Sequence, residues 1–112
     1  MYYVKKTLEI SAAHNLKLSY ESKCSNIHGH NWWFAVYCKA KEVNQDGMVL
    51  DFTHIKKMIH DKLDHKYIND VLPFNPTAEN MAKWVVDTIP NCYKCTVVES
   101  ENNEATYEMD EQ

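Results

Sequence analysis

The sequence predicts an α+β fold in which an antiparallel sheet carries two helices on one face. Two strand-like segments come first, two amphipathic helical segments occupy the middle of the chain, and two strand-like segments follow them. Helices that are grouped together, rather than alternating with the strands, are typical of an antiparallel sheet covered on one face. The predicted order is ββααββ. A chain of 112 residues has the length of one domain, so we assign residues 1–112 to a single domain.

A polar loop separates the two N-terminal strands. Residues 3–11 place Leu8 and Ile10 on one parity, as in a strand with one buried face. Residues 15–27 are polar and irregular, which predicts a loop. Residues 30–40, with the sequence HNWWFAVYCKA, are rich in aromatic and β-branched side chains, which favours a second strand.

The helices follow a turn and a short extended segment. Residues 44–47 (NQDG) predict the turn, because the glycine can adopt a positive φ, and residues 48–52 predict the extended segment. A first helix begins near Thr53. A second begins after Thr77, which is expected to be its N-cap, and ends at Pro90. Apolar spacings of three and four predict the buried faces, which comprise Ile55, Met58, Ile59 and Leu63 in the first helix and Met81, Trp84, Val85 and Ile89 in the second.

Two strands close the chain, over residues 93–100 and 105–109. The C-x-x-C pair Cys92 and Cys95 lies at the start of the first. A redox pair of this kind favours a helix N-terminus, whereas these cysteines follow a helix. A structural zinc would need two further ligands close by, and none is near in the sequence. We therefore assign neither a redox nor a metal-binding role to these two cysteines, and their role stays open.

The composition is that of an ordinary globular protein. Hydrophobic residues make up 45% and charged residues 25% of the chain. The formal net charge of −4 argues against a general nucleic-acid partner, which would require a basic patch. No apolar run approaches the roughly 20 residues that span a bilayer, and MYYVKKTLEIS lacks the apolar segment of a signal peptide. We expect a cytoplasmic protein without a membrane partner. Because so short a chain buries only about two-thirds of its unfolded surface, we also expect oligomerisation.

Three histidines form a candidate metal site. His28 and His30 share one face if the second strand begins before residue 30, and Gly29 lies between them. His14 follows the first strand and becomes a third ligand if the two strands pair. A catalytic zinc takes three protein ligands and keeps one position open. The alternative is that these histidines are exposed or packing residues.

A cysteine and an Asp–His pair are candidate acid–base groups. Cys24 lies four residues before His28, and a thiol beside zinc or a cationic imidazole readily forms a thiolate. Asp64 precedes His65, and a carboxylate can orient an imidazole for proton transfer. The alternatives are an unpartnered loop cysteine and an Asp–His pair that caps a helix.

An acidic residue ends the apolar strand CTVVES. Glu99 shares a face with Val97 by alternation, and burying its carboxylate without a partner would be costly. It is therefore either exposed or bound to a ligand with N–H donors. His54 and His60 lie six residues apart on a helix, which does not suit a shared metal, so we interpret them as surface residues.

Six motifs occur in register along residues 3–107: SAAHNL, C-x-x-x-H-G-H-N, GMVLDF, LDHKYIND, NPTAENMAKW, and VVES followed by ATY. In this order they resemble the 6-pyruvoyl-tetrahydropterin synthase family, and most closely its bacterial 6-carboxytetrahydropterin synthases. The resemblance implies the tunnelling fold, in which ββααββ subunits assemble into oligomeric barrels. It also implies a homo-oligomer, a hexamer or a tetramer, with active sites at the subunit interfaces.

The resemblance implies a role for each candidate residue. His14, His28 and His30 match the zinc ligands of the family, and Cys24 matches its catalytic base.

The other matches concern proton transfer and substrate binding. His65, with Asp64 beside it, matches the group that assists the cysteine. Glu99 matches the acid that anchors the pterin and is also counted among the catalytic residues. Thr77 and Glu79 match the segment that lines the pterin pocket.

The sequence departs from the family pattern at two places. Ser25 and Asn26 follow the cysteine where relatives often have Gly-Arg or Gly-Lys, which removes a charge from the mouth of the site. Lys23 or Lys17 could replace that charge in phosphate recognition. Ser100 follows the acid where threonine is usual, so the hydroxyl is retained.

The implied reaction converts 7,8-dihydroneopterin triphosphate to 6-carboxytetrahydropterin, a precursor of queuosine, and releases acetaldehyde and triphosphate. The nearest alternative is the 6-pyruvoyl-tetrahydropterin synthase reaction, which keeps the side-chain carbons; the short loops favour the carboxy enzyme. A second alternative is a pterin- or metal-binding homologue without catalysis, against which the Cys24 thiol argues. A zinc deaminase would need H-x-E and P-C-x-x-C, whereas the chain has H-G-H, and Asn91 separates Pro90 from Cys92.

Overall fold

The computed structural model describes residues 1–110. Within them the elements are β1 (Tyr2–His14), β2 (His28–Ala40), α1 (Phe52–Leu63), α2 (Ile68–Val71), α3 (Ala78–Thr88), β3 (Cys92–Ser100) and β4 (Asn103–Glu108). The strands form one sheet in the order β1-β2-β3-β4, and each neighbouring pair is antiparallel. The α+β prediction is confirmed.

The long pairing between β1 and β2 sets the geometry of the molecule. The two strands pair continuously from Tyr2 opposite Ala40 to His14 opposite His28. Each strand therefore extends two or three residues beyond its predicted end, because cross-strand hydrogen bonds continue through the less regular sequence. Both extensions lie at the same end of the sheet.

Local capping explains where the two longer helices begin. Asp51 caps α1 by accepting the N–H of Thr53, so Phe52 is helical rather than part of an extended segment as predicted. Thr77 caps α3 as predicted, and its Oγ1 accepts the N–H of Asn80 at 3.1 Å. The sequence did not predict the one-turn helix α2 or a 3-10 helix at Lys23–Ser25, since neither is long enough to show a periodic pattern.

The core lies between the sheet and the helices. Alternate residues of β1 and β2 are buried, and α1 and α3 bury the expected apolar face, except that Met58 and Trp84 are only partly buried. The largest fully buried side chains are Trp32, Phe34, Ile10, Ile55, Ile59, Leu63, Ile68, Met81, His14, Val36, Val85 and Val97. A histidine in this set is unusual, because an imidazole needs polar partners when it is buried. No helix among residues 1–110 has the length and apolar character to cross a membrane.

Candidate metal centre

Three histidines meet where β1 ends and β2 begins. His14 is the last residue of β1 and pairs directly with His28, the first residue of β2, while His30 lies two positions further on the same face. The ring centroid of His14 lies 4.5 Å from that of His28 and 5.3 Å from that of His30, and the centroids of His28 and His30 are 4.8 Å apart. Strand pairing therefore brings together residues that are far apart in sequence.

Backbone carbonyls orient two of the rings. Nδ1 of His14 lies 2.8 Å from the carbonyl oxygen of Pro76, and Nδ1 of His28 lies 2.7 Å from that of Asn26. Because a carbonyl can only accept, each Nδ1 carries the proton and donates it, which leaves a lone pair on Nε2. Hydrogen bonds of this kind are typical of metal-binding histidines. The sequence did not reveal these carbonyls, since a backbone acceptor has no residue signature.

Two of the three imidazoles have an Nε2 atom without a hydrogen-bond partner among the described residues. Within the described chain, Nε2 of His14 and Nε2 of His30 are buried and make no hydrogen bond. Burial is the main cause that lowers the pKa of both imidazoles, although the Glu99 carboxylate opposes it. Both rings therefore favour the neutral form, which is the form that binds a metal.

Glu99 completes the cluster from β3. Its Oε1 lies 3.0 Å from Nε2 of His30, without hydrogen-bond alignment, and 3.9 Å from Nε2 of His14. One ligand atom from each of His14, His28, His30 and Glu99 lies within 4.8 Å of every other. Three imidazole nitrogens suit a first-row divalent ion such as Zn²⁺, so the histidines fit the metal that the sequence predicts, and the Glu99 carboxylate lies beside them.

Trp32 packs against two of the histidines. Its ring is fully buried and makes edge-to-face contacts with His14 and His30, at centroid distances of 4.7 and 5.2 Å. Its Nε1 donates to the carbonyl of Ala12 at 3.1 Å. The ring therefore fixes two imidazoles and excludes water behind them. Trp32 shares the parity of His28 and His30, and that signal could have identified it from the sequence.

Cys24 lies in the loop that leads from His14 to His28. It is half-buried in the 3-10 helix, and its N–H donates to Oγ of Ser22 at 3.1 Å. Its carbonyl accepts the N–H of Leu16 at 2.9 Å. The cysteine is free, so the thiol is available for chemistry.

Asp64 and His65 are anchored to β1 at Ser11. Oδ1 of Asp64 accepts the N–H of Ser11 at 2.9 Å, and the N–H of His65 donates to the carbonyl of Ser11 at 2.7 Å. Oδ2 of Asp64 lies 3.7 Å from Nε2 of His65 and 3.6 Å from Nδ1 of His60. The His65 side chain is 82% exposed and its backbone has a φ of +57°. These two residues are not members of the four-residue cluster.

The two histidines of α1, His54 and His60, differ in exposure. His54 is exposed, as predicted, whereas His60 is partly buried beside Asp64 rather than lying freely on the surface. The imidazole of His60 faces the carboxylate because residues four apart lie on one side of a helix.

The segment that begins α3 contacts the cluster through its backbone. Pro76 supplies the carbonyl that binds His14, and the hydroxyl of the next residue, Thr77, caps the helix. Glu79 is exposed in the first turn of α3.

The C-x-x-C cysteines lie in the sheet. Cys92 and Cys95 are both buried in β3, and burial raises the pKa of the Cys95 thiol. In the described residues they belong to no group of metal ligands.

The chain is similar to known proteins over almost its whole length. The family model described as 6-pyruvoyl tetrahydropterin synthase matches residues 3–110. A Synechocystis sp. protein named 6-carboxy-5,6,7,8-tetrahydropterin synthase is 31% identical, covering 96% of this chain and 93% of its own. A Dictyostelium discoideum 6-pyruvoyl tetrahydrobiopterin synthase is 32% identical over 87% of this chain and 88% of its own. The solved structure of Caenorhabditis elegans 6-pyruvoyl tetrahydropterin synthase superposes with a TM-score of 0.76 at 27% identity, covering 97% and 96% of the two chains.

Proposed function

The chain belongs to the 6-pyruvoyl tetrahydropterin synthase family, and on this premise we propose that it is a zinc-dependent 6-carboxy-5,6,7,8-tetrahydropterin synthase. Its reaction converts 7,8-dihydroneopterin triphosphate and one water molecule to 6-carboxytetrahydropterin, acetaldehyde and triphosphate, which makes the protein a lyase of queuosine biosynthesis. The observation that carries the proposal is the convergence of three imidazoles and one carboxylate at the end of the β1–β2 pair. The similarity to the Synechocystis protein over nearly the full chain favours the carboxy reaction.

His14, His28 and His30 would hold the zinc ion through their Nε2 atoms. The bound ion would supply Lewis acidity to the side-chain hydroxyls of the substrate. The hydrogen bonds from Nδ1 of His14 and His28 keep their Nε2 lone pairs directed at one point, and Trp32 prevents two of the rings from turning.

Four residues carry the proton transfers and hold the substrate. The Cys24 thiolate removes a proton from the substrate side chain, and His65, oriented by Asp64, exchanges protons on the other side. The Glu99 carboxylate accepts hydrogen bonds from the amino and ring N–H groups of the pterin and takes part in the proton relay. Because Glu99 lies beside the imidazoles, a pterin anchored there would have its side chain close to the metal.

The segment that begins α3 forms the wall of the pterin pocket. Thr77 and Glu79 contact the substrate there, and Pro76 connects the same segment to His14. A pterin bound against this wall would therefore be positioned relative to a metal ligand.

The active form is a homo-oligomer, a hexamer or a tetramer, with sites at subunit interfaces. Within residues 1–110, β1 and β4 are the outer strands of the sheet, and outer strands offer backbone groups to a second chain. The exposed imidazole of His65 lies outside the metal cluster of its own chain, so it would serve the site of a neighbouring subunit. The protein acts as a single domain in the cytoplasm, without nucleic-acid or membrane partners.

Product analysis tests this function. The zinc-loaded protein is incubated with 7,8-dihydroneopterin triphosphate, and acetaldehyde and pterin products are quantified. We expect acetaldehyde and 6-carboxytetrahydropterin in equal amounts. A pterin product that retains its side chain, with no acetaldehyde, would identify the 6-pyruvoyl reaction, the alternative that the Dictyostelium relative favours. Zinc and pterin binding without turnover would indicate a non-catalytic homologue.

The Cys24→Ala variant separates metal binding from catalysis. We expect it to retain one zinc ion per chain but to lose turnover, because the thiolate is the base and is not a ligand. Near-normal turnover would remove Cys24 from this role. Asn44→Ala is a control, since its side chain accepts the N–H groups of Asp46 and Met48 in the turn after β2, at the opposite end of that strand from the histidines.

A further inference from the structure

Two asparagine side chains form hydrogen bonds with the backbone at the start of the loop that carries Cys24. Asn69, in α2, accepts the N–H of Asn15 through Oδ1 at 3.0 Å and donates from Nδ2 to the carbonyl of Asn15 at 2.9 Å. Asn75 does the same at Lys17, with distances of 2.9 and 3.0 Å. Each side-chain amide therefore satisfies the donor and the acceptor of one residue, as a paired strand would.

The residue between Asn15 and Lys17 is hydrogen-bonded to Cys24. The N–H of Leu16 donates to the carbonyl of Cys24 at 2.9 Å. The Asn15 side chain adds a second connection, because its Nδ2 donates to the carbonyl of Ser25 at 3.3 Å. Its Oδ1 accepts the hydroxyl of Tyr67. The backbone of residues 15–17 is thus fixed on one side by residues after α1 and binds the Cys24 turn on the other.

This arrangement connects the Cys24 turn to the metal centre. Residue 15 directly follows His14, and the backbone of Ala13 is held by a hydrogen bond from its N–H to the carbonyl of Lys66 at 3.1 Å. The direction of each asparagine amide is fixed, since a backbone N–H needs an oxygen and a carbonyl needs an N–H. Loop segments otherwise have mobile backbones, so four side-chain bonds on two residues are a strong restraint.

We propose that Asn69 and Asn75 are positioning residues, which, with Tyr67, set the distance and direction of the Cys24 thiol relative to the metal centre. This inference rests on the proposed role of Cys24 in catalysis. Both asparagine amides bind backbone groups of residues 15 and 17. They act through residues 15–17, and their loss leaves the histidines in place while the thiol moves.

The first test measures the thiol directly, without turnover. The rate of Cys24 alkylation by iodoacetamide is followed by mass spectrometry across pH in wild type, Asn69→Ala and Asn69→Asp. The other three cysteines are buried, so Cys24 is the accessible thiol in the native chain. We expect the Ala variant to change the alkylation rate by about threefold or more, because the restrained turn becomes mobile. The Asp variant keeps the acceptor for the N–H of Asn15 but places a carboxylate oxygen against the carbonyl of Asn15, so it should also differ from wild type.

The second test measures kcat, KM and zinc content on the same proteins. A displaced catalytic group of this kind lowers kcat by roughly 10- to 100-fold. KM and zinc content should change little, since the ligands and the pterin wall are untouched. Asn44→Ala is the matched control: it also removes side-chain bonds to two backbone N–H groups, of Asp46 at 2.9 Å and Met48 at 3.1 Å, in a remote turn. It should match wild type in alkylation and kcat.

Tyr67→Phe covers the case in which Asn69→Ala fails to fold. It removes a single oxygen, which breaks the bond to Oδ1 of Asn15, and should also change the alkylation rate of Cys24. If the folded variants are alkylated at the wild-type rate, the positioning role is wrong, whatever their kcat. An altered alkylation rate with an unchanged kcat would support the positioning of Cys24 by the asparagines. It would exclude Cys24 from the rate-determining chemistry, so that the proposed function would fail and the positioning role would not.

Discussion

Asp64 carries a structural and a chemical role on two different oxygens, so two substitutions can separate them. Oδ1 accepts the N–H of Ser11 at 2.9 Å, and Oδ2 faces the imidazoles of His60 and His65 at 3.6 and 3.7 Å. Asp64→Ala removes both interactions. Asp64→Asn keeps an amide oxygen for Ser11 but removes the negative charge from beside the two imidazoles.

The expected magnitudes follow from the Ser11 hydrogen bond. A bond to a charged acceptor contributes about 1.5–3 kcal/mol, and at 24% exposure of Asp64 water can partly replace it. We expect Asp64→Ala to lower the free energy of unfolding by about 1–2 kcal/mol. Asp64→Asn should lower it by less than about 1 kcal/mol, because the neutral acceptor remains. If Asp64 orients His65 for proton transfer, Asp64→Asn should also reduce kcat by roughly 100-fold.

Urea unfolding followed by tryptophan fluorescence, combined with turnover of the zinc-loaded protein, measures both effects. Lys83→Ala is a suitable control, since it breaks an exposed ion pair with Asp87 and should leave both kcat and the free energy of unfolding close to wild type. Equal destabilisation by Asn and Ala would refute the account of the Ser11 bond. Wild-type turnover in Asp64→Asn would exclude the carboxylate from proton transfer.

Three further results are expected. Thr77→Ala removes the cap of α3 and should cost about 1 kcal/mol in urea unfolding, whereas Thr77→Ser should cost less; equal losses would exclude the hydroxyl as the cause. The metal-free protein should be most stable above the ordinary histidine pKa of about 6.5 and should lose stability as the pH falls below it. The reason is that burial lowers the pKa of His14 and His30 in the folded chain, so the unfolded chain binds protons first. In acid titrations, His14→Asn should reduce the change in unfolding free energy with pH. Zinc at a hundred times its Kd should stabilise the fold by about 2.7 kcal/mol, and a chelator should reverse this; a Tm independent of zinc would contradict the site.

Periodic elements could be predicted from the sequence because their signals are local. The alternation of Leu8 and Ile10 and the spacing of Ile55, Ile59 and Leu63 each report one buried face. The convergence of the three histidines required only that two neighbouring strands pair, which is the usual arrangement of consecutive strands.

The contacts that orient the site could not be predicted, because they join distant residues through the backbone. The carbonyl of Pro76 is 62 residues from His14, and any residue type supplies a carbonyl. Asn69 and Asn75 read as ordinary loop and helix-start residues, since nothing local shows that their amides bind residues 15–17. The short helix α2, which places Asn69, contains too few residues for a period.

The position of a bound metal shows whether the three histidines form a zinc site. Zinc-loaded crystals are measured above and below the zinc absorption edge, and the anomalous difference map locates the ion. We expect one zinc ion per chain, bonded to Nε2 of His14, His28 and His30 at roughly 2.0–2.1 Å. An ion bound elsewhere, or a site that excludes His14, would contradict this expectation.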